Sequence, residues 1–116
     1  MPLSRERCEA CTGSTPRVAP DEARTLGTEL NAAWEIGDDR LRRRVRTPDF
    51  AAALALTTHI GMIAEAEGHH PDLCLGWGRL EIELTTHAIK GLSRNDFIVA
   101  AKIDKILPAA APVARG

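Results

Sequence analysis

The sequence predicts an α+β fold in which helices pack on one face of a four-stranded antiparallel sheet, in the order α-β-β-α-β-β-α. Three observations lead there. Segments with helical apolar spacing begin at Asp21, Thr47 and Ser93, and pairs of short strands fall between them. The run Leu80-Glu81-Ile82-Glu83-Leu84 alternates apolar and acidic residues, as a strand with one buried and one wet face requires. Each strand pair is joined by a short turn containing glycine, which makes hairpins.

Residues 1–19 show no sustained periodicity and read as a flexible, extended arm. A first helix fits Asp21 to about Ala33, with Pro20 before it, Asp21 and Glu22 in its first turn, and Leu26, Leu30 and Ala33 along one side. Trp34-Glu35-Ile36 and Leu41 to Arg46 form a hairpin around Gly37-Asp38-Asp39. Thr47 then suits an N-cap and Pro48 the first helical position of a helix running to Glu67, which Gly68 ends. Phe50, Ala53, Leu54, Thr57, Ile60, Gly61, Ile63 and Ala64 share one broad face of it, expected to cover the sheet. A strand from about Leu73 turns through Gly76-Trp77-Gly78 into Leu80–Leu84, so that Leu80, Ile82 and Leu84 point inward. The last helix starts at Ser93, carries Val99, Ala100, Ile103, Ile106 and Leu107 at helical spacing, and stops at Pro108. Residues 20–108 thus read as one domain, and 109–116 as a loose tail.

Composition narrows the setting. A chain of 116 residues has room for one domain and one core. No apolar run approaches the ~20 residues of a membrane span, and the start lacks the apolar stretch of a secretory signal, so a cytoplasmic location is expected. Three cysteines then read as reduced thiols. The net charge of −1 and the scarcity of aromatic residues argue against a nucleic-acid partner.

The residues that periodicity does not explain together are Glu65-x-x-x-His69-His70-Pro71, Trp77, His87 and Asp96. They read as one proton-transfer site, because a histidine exchanges a proton near neutral pH. Each has a plainer reading. Adjacent histidines in a loop are commonly solvated, and Glu65, one turn before His69, is a carboxylate at the electrostatically poor end of a helix. The plainer reading of His87 is a core histidine, but if the strand continues it shares the outward parity of Glu81 and Glu83 and should not belong to the apolar face. Asp96 follows Ser93 at capping-box spacing, a role compatible with a second contact to a histidine. Trp77, in a glycine-flanked turn, would need a flat ligand or a subunit to stack on.

These residues resemble the signature of the pterin-4a-carbinolamine dehydratases. The likeness extends to Asp49-Phe50, Gly68-His69-His70-Pro71-Asp72, Leu84-Thr85-Thr86-His87 and Gly91-Leu92-Ser93-x-x-Asp96-Phe97, and covers about Trp34 to Leu107. Cys8-Glu9-Ala10-Cys11 and the run from Ile89 to Phe97 look like bacterial members found alongside aromatic amino acid hydroxylases. The resemblance implies dehydration of a 4a-hydroxytetrahydropterin to quinonoid dihydropterin and water, with no cofactor and no metal, since the pterin is the substrate. It implies His69 and His87 as general acids, His70 as the residue aligning the ring, Glu65 assisting proton transfer and Asp96 orienting a histidine. Pro71, Trp77, Thr86, Ala88 and Ile89 would join the three histidines in lining the pterin. Leu73 departs from the aromatic residue of many relatives. A homodimer or homotetramer and a link to phenylalanine hydroxylase are further implications. Dehydratase-like proteins also include RuBisCO assembly factors and binders of transcription factors, so a non-catalytic role is the alternative on the same fold.

Three features lie outside this site. Cys8-x-x-Cys11 has the spacing of half a zinc site or of a reduced arm. His59 falls opposite the apolar face of its helix. Arg40, Arg42, Arg43, Arg44 and Arg46 concentrate charge on one strand, four of them facing one way, as on a solvated sheet edge or a surface for an anionic protein. A metal hydrolase built on His69, His70 and His87 is a third reading of the cluster.

Overall fold

The computed structural model describes residues 2–107. Its elements are α1 (Pro20–Gly27), β1 (Glu35–Ile36), β2 (Leu41–Arg46), α2 (Phe50–Glu67), β3 (Asp72–Gly76), β4 (Arg79–Leu84) and α3 (Arg94–Ile106), with 3-10 turns at Leu3–Arg5 and His87–Ile89. The strands lie in the order β1-β2-β4-β3, every neighbouring pair antiparallel, so the α+β class and the four-stranded sheet are as expected. The stop at Pro108 and the loose tail over 109–116 lie outside the described residues.

Register explains the core. Leu41 stands opposite Leu84, and Val45 opposite Leu80, across β2 and β4; Leu73 stands opposite Ile82 across β3 and β4. Side chains alternate along a strand, so this register gathers Leu41, Leu80, Ile82 and Leu84 on one face, each without exposed surface. Ile60 of α2 and Phe97, Val99 and Ile103 of α3 complete the same buried cluster, which Leu73 joins from its margin. Burying each such side chain stabilises the fold by about 1.5–3 kcal/mol over leaving it exposed.

Several boundaries differ from the sequence reading. Helix α1 ends at Gly27 rather than Ala33: Thr28, Glu29 and Leu30 return their amides to Thr25, Leu26 and Gly27 in tightened turns. The amide of Asn31 is then captured by Asp104 Oδ2 at 2.8 Å, a partner on the last helix that no local pattern announces. Helix α2 is capped by Asp49, whose Oδ1 accepts from Ala52 N at 2.8 Å, so Thr47 and Pro48 precede the helix. Its buried residues are Ala53, Ile60 and Ala64, while Phe50 and Leu54, expected to cover the sheet, are exposed. The helix is apolar nearly all round, so spacing alone leaves its rotation undecided; small residues turn inward and let it approach the sheet closely.

Residues 2–19 have little regular structure, yet they lie against the domain. Leu3 has no exposed surface, and its amide donates to Glu29 Oε1 at 3.0 Å. Lys102 Nζ donates to the Ser4 carbonyl at 3.0 Å, and the Arg94 guanidinium forks onto the Glu6 carboxylate at 2.8 and 2.7 Å. The Cys8 amide donates to Glu67 Oε1 at 2.9 Å. The arm therefore runs along α3 and the end of α2.

The arginine strand is interior to the sheet, not an edge; the edges are β1 and β3. Arg40 and Arg42 pair with Glu83 of β4 on the wet face. Arg43 alone turns inward, 3 % exposed, and donates to Asp104 Oδ1 at 2.5 Å. No described helix is long and apolar enough to cross a membrane.

Candidate active site

Gly68 closes α2 with φ +68°, a conformation that suits glycine, and the chain leaves it with the two histidines in opposite environments. His69 is buried and His70 exposed. His69 Nε2 lies 2.6 Å from Asp96 Oδ1. Asp96 has no exposed surface, and its other oxygen accepts from Ser93 N at 2.9 Å and from the Thr86 hydroxyl at 2.8 Å. Thr86 has one hydroxyl proton, given to the carboxylate, so the Ser93 hydroxyl donates to Thr86 across their 2.7 Å contact. Asp96 thus fills both roles weighed for it: it completes the capping box of α3 and holds a histidine.

That carboxylate fixes the chemistry of His69. An ionised carboxylate only accepts, so Nε2 carries a proton and Nδ1 becomes the nitrogen that exchanges one. Near Nδ1, at 3.9 Å, is the thiol of Cys11 from the arm. Asn95 Nδ2 donates to that sulfur at 3.0 Å.

Glu65 pairs with His70, not with His69: Oε1 lies 2.8 Å from His70 Nε2, and both side chains are largely exposed. A contact so exposed is worth at most about 1 kcal/mol, so its effect is on orientation rather than stability.

The strand expected to continue to His87 ends at Leu84. Thr86 and Gly91 pair instead across a tight turn, closed at Lys90 with φ +51°, and His87, Ala88 and Ile89 form its 3-10 segment. His87 is still off the core, exposed at the start of the turn. The Arg17 guanidinium clamps the far side, donating to the carbonyls of Ile89 and Lys90. Because Thr86 is bound to Asp96, one buried carboxylate holds His69 directly and anchors the residue before His87.

Trp77 is not brought to this cluster. Asp72 pairs with Glu83 at the histidine end of the β3–β4 hairpin and Gly76 with Arg79 at the other. That length of strand spans about 13 Å. Trp77 lies beyond it, 65 % exposed, in a turn tied to the start of α2 by Thr47 N donating to the Gly78 carbonyl at 2.9 Å. Pro71 links His70 to β3, half-buried, and His59 is exposed. Among the described residues no group of three or more His, Cys, Asp or Glu is placed to hold a metal ion. A cleft of about 340 Å³ between the arm and the start of α3 is lined by Glu9, Ala10, Arg17 and Asn95 among others, but by no histidine.

The arm residues Cys11 and Arg17, with Asn95, are the contacts sequence reasoning missed. The one signal was Cys8-x-x-Cys11, which stood out by spacing but suggested metal or nothing.

A family profile described as pterin 4 alpha carbinolamine dehydratase matches residues 16–106. The chain belongs to that family, a family of dehydratases and hence of lyases. A relative from Alkaliphilus metalliredigens, provisionally named a pterin-4-alpha-carbinolamine dehydratase, is 43% identical over 104 residues, covering 89% of this chain and 94% of its own. One from Gloeobacter violaceus, named in the same way, is 46% identical over 110 residues, covering 91% of this chain and 94% of its own. The crystal structure of a transcriptional coactivator/pterin dehydratase from Brucella melitensis superposes with a TM-score of 0.73 at 24% identity, over 80% of this chain and all of that one, a likeness of fold.

Proposed function

We propose that this member of the family dehydrates 4a-hydroxytetrahydropterin to quinonoid dihydropterin and water, returning the spent cofactor of an aromatic amino acid hydroxylase to use. The reaction needs an acid to protonate the departing C4a hydroxyl and a base to take the proton from the adjacent ring nitrogen, N5. The hydroxyl leaves with the acid's proton as water, and the N5–H electrons form the new C=N bond. The observation that carries the reading is the buried His69–Asp96 pair, whose carboxylate also binds Thr86, the residue before His87.

In this reading His69 gives and takes the proton through Nδ1, and its oriented ring places that proton where charge develops. His87, exposed on its clamped turn, serves the other face of the pterin. His70, steadied by Glu65, aligns the ring, while Pro71, Thr86, Ala88 and Ile89 form the wall beside it. General acid–base groups of this kind contribute about 10²–10⁴-fold each. No metal or cofactor enters; the pterin is the substrate. Trp77 has no place in the site, and Leu73, which packs against the core, takes no part in aromatic stacking.

The test is the decay of 4a-hydroxytetrahydropterin generated by a hydroxylase and followed by ultraviolet absorbance. The wild-type chain should accelerate it well beyond the spontaneous rate. A correctly folded chain that leaves the decay unchanged would mean that this member is not a dehydratase.

A further inference from the structure

We propose that Cys11 belongs to the pterin site: its thiol stands at the proton-exchanging nitrogen of His69, where a substrate hydroxyl must arrive. The inference rests on the dehydratase reading and extends it to a segment ahead of the region the family profile matches, which begins at residue 16.

The two ring nitrogens of His69 have different neighbours. His69 is 7 % exposed, and Asp96 holds Nε2 at 2.6 Å. Any substrate hydroxyl that exchanges a proton with His69 must therefore approach Nδ1. The polar atom of the described residues that reaches Nδ1 is Cys11 Sγ, at 3.9 Å. A thiol is a weak donor and a weak acceptor, and this distance is at the outer limit for sulfur. It keeps the ring in place but leaves Nδ1 open to a stronger partner. A hydroxyl at hydrogen-bond distance from Nδ1 then lies in contact with the sulfur.

Cys11 is held there by the same turn of α3 that supplies Asp96. Asn95, 7 % exposed, donates through Nδ2 to Cys11 Sγ at 3.0 Å and to the Glu9 carbonyl at 2.6 Å, and its Oδ1 accepts from Glu9 N at 3.1 Å. Three residues before Cys11, the Cys8 thiol reaches the Asn95 carbonyl at 3.7 Å. Adjacent residues Asn95 and Asp96 thus govern the two sides of one imidazole, Asp96 directly and Asn95 through Cys11. With the Asn95 amide donating to it, the sulfur accepts on one side and keeps its S–H for Nδ1 or the Glu9 carbonyl, 3.9 Å away. Cys11 is a positioning residue for His69 and a contact for the substrate.

The test is alkylation of Cys11 by N-ethylmaleimide, resolved by peptide mass spectrometry, with and without saturating 7,8-dihydrobiopterin. Cys74 is exposed on β3 and serves as the internal control. Cys8 interferes little at neutral pH, because burial and the neighbouring Glu67 push its thiol up to about 12. Bound pterin should slow alkylation of Cys11 at least tenfold and leave Cys74 unchanged, and a Cys74→Ser chain alkylated on Cys11 should lose turnover. In ¹⁵N spectra of the imidazole, Cys11→Ala should move the Nδ1 resonance of His69 and leave Nε2 nearly in place, a change that general loosening of the arm would not make. Pterin binding is measured independently by fluorescence. If wild type binds pterin and turns over while Cys11 labels at the same rate with and without it, this inference fails and the dehydratase stands. If wild type neither binds nor turns over, the dehydratase reading fails and Cys11 loses its proposed role with it.

Discussion

Replacing Asp96 tests whether one buried carboxylate carries both the start of α3 and the orientation of His69. In Asp96→Ala three partners are lost at once: the Ser93 amide, the Thr86 hydroxyl and His69 Nε2, at 2.9, 2.8 and 2.6 Å. A lost capping contact costs about 0.5–2 kcal/mol. Each buried polar group left without a partner costs about 1–3 kcal/mol, although Thr86 keeps its contact to Ser93. Taken together and discounted for relaxation, a loss of roughly 3–5 kcal/mol is expected, the range for breaking a buried charge pair. At about 4–8 °C per kcal/mol for a domain of this size, the melting temperature should fall by more than about 12 °C. Asp96→Asn behaves differently. Its oxygen must face Ser93 N, a pure donor, so its amide faces His69 and donates to Nε2, which moves the imidazole proton to Nδ1. Stability should fall by only about 1.5–3 kcal/mol, the difference made by a charge-assisted bond, while the dehydration rate falls by at least as much as in the alanine variant. Urea unfolding gives the stability and the absorbance assay the rate. An alanine variant within about 0.5 kcal/mol of wild type would refute the reasoning, since that is the scale of a surface substitution.

Three further outcomes follow from the packing. Asp104 is the partner of Arg43 inside the sheet layer and also accepts from Trp34 Nε1 and Asn31 N. Asp104→Ala should therefore cost about 3–5 kcal/mol in urea unfolding, because it strands a buried guanidinium, and Asp104→Asn clearly less. At Gly68 a Cβ would meet nothing within 4 Å, so Gly68→Ala is strained only through its φ of +68° and should cost about 1–2 kcal/mol by thermal unfolding. Burial pushes the Glu67 carboxyl up, but the Cys8 amide, Lys102 and Arg7 outweigh it, and the group titrates below the usual glutamate value. A depressed folded value means that its stabilisation is present above the unfolded pKa and is lost as pH falls through the folded one. Acidification below the usual glutamate range should thus release the arm, read as faster hydrogen exchange at the Cys8 and Glu9 amides, and Glu67→Gln should show that exchange already at neutral pH.

How much of this was legible in the sequence depends on how local the cause was. The alternation at Leu80–Leu84 and the turn glycines are local, and β3, β4 and the inward set fell where expected. Ser93-x-x-Asp96 announced a cap by spacing and the cap is there. The face of α2 was not legible, because Phe50 and Leu54 offer as much apolar surface as Ile60 and only the approach to the sheet selects between them. Beyond the end of α1 the chain turns tightly to Asn31, whose amide is captured by Asp104 from another helix. Within the site, Glu65 stood nearest His69 in sequence, but the left-handed turn at Gly68 sends His69 inward to Asp96 and leaves His70 for Glu65. Parity placed His87 off the core, and it is exposed, but on a turn beyond the strand rather than on the strand itself. The arm gave no periodic signal because each of its anchors, Glu29, Glu67, Asn95 and Lys102, meets a different one of its residues.

The central claim is that His69 and His87 are separate proton-transfer groups acting on one pterin. The most direct measurement is the turnover of 4a-hydroxytetrahydropterin by His69→Ala, His87→Ala and the double variant, each verified as folded by circular dichroism. Each single change should lower kcat by about 10²–10⁴-fold, and the double variant should approach the spontaneous rate. Full turnover in either single variant would contradict the account.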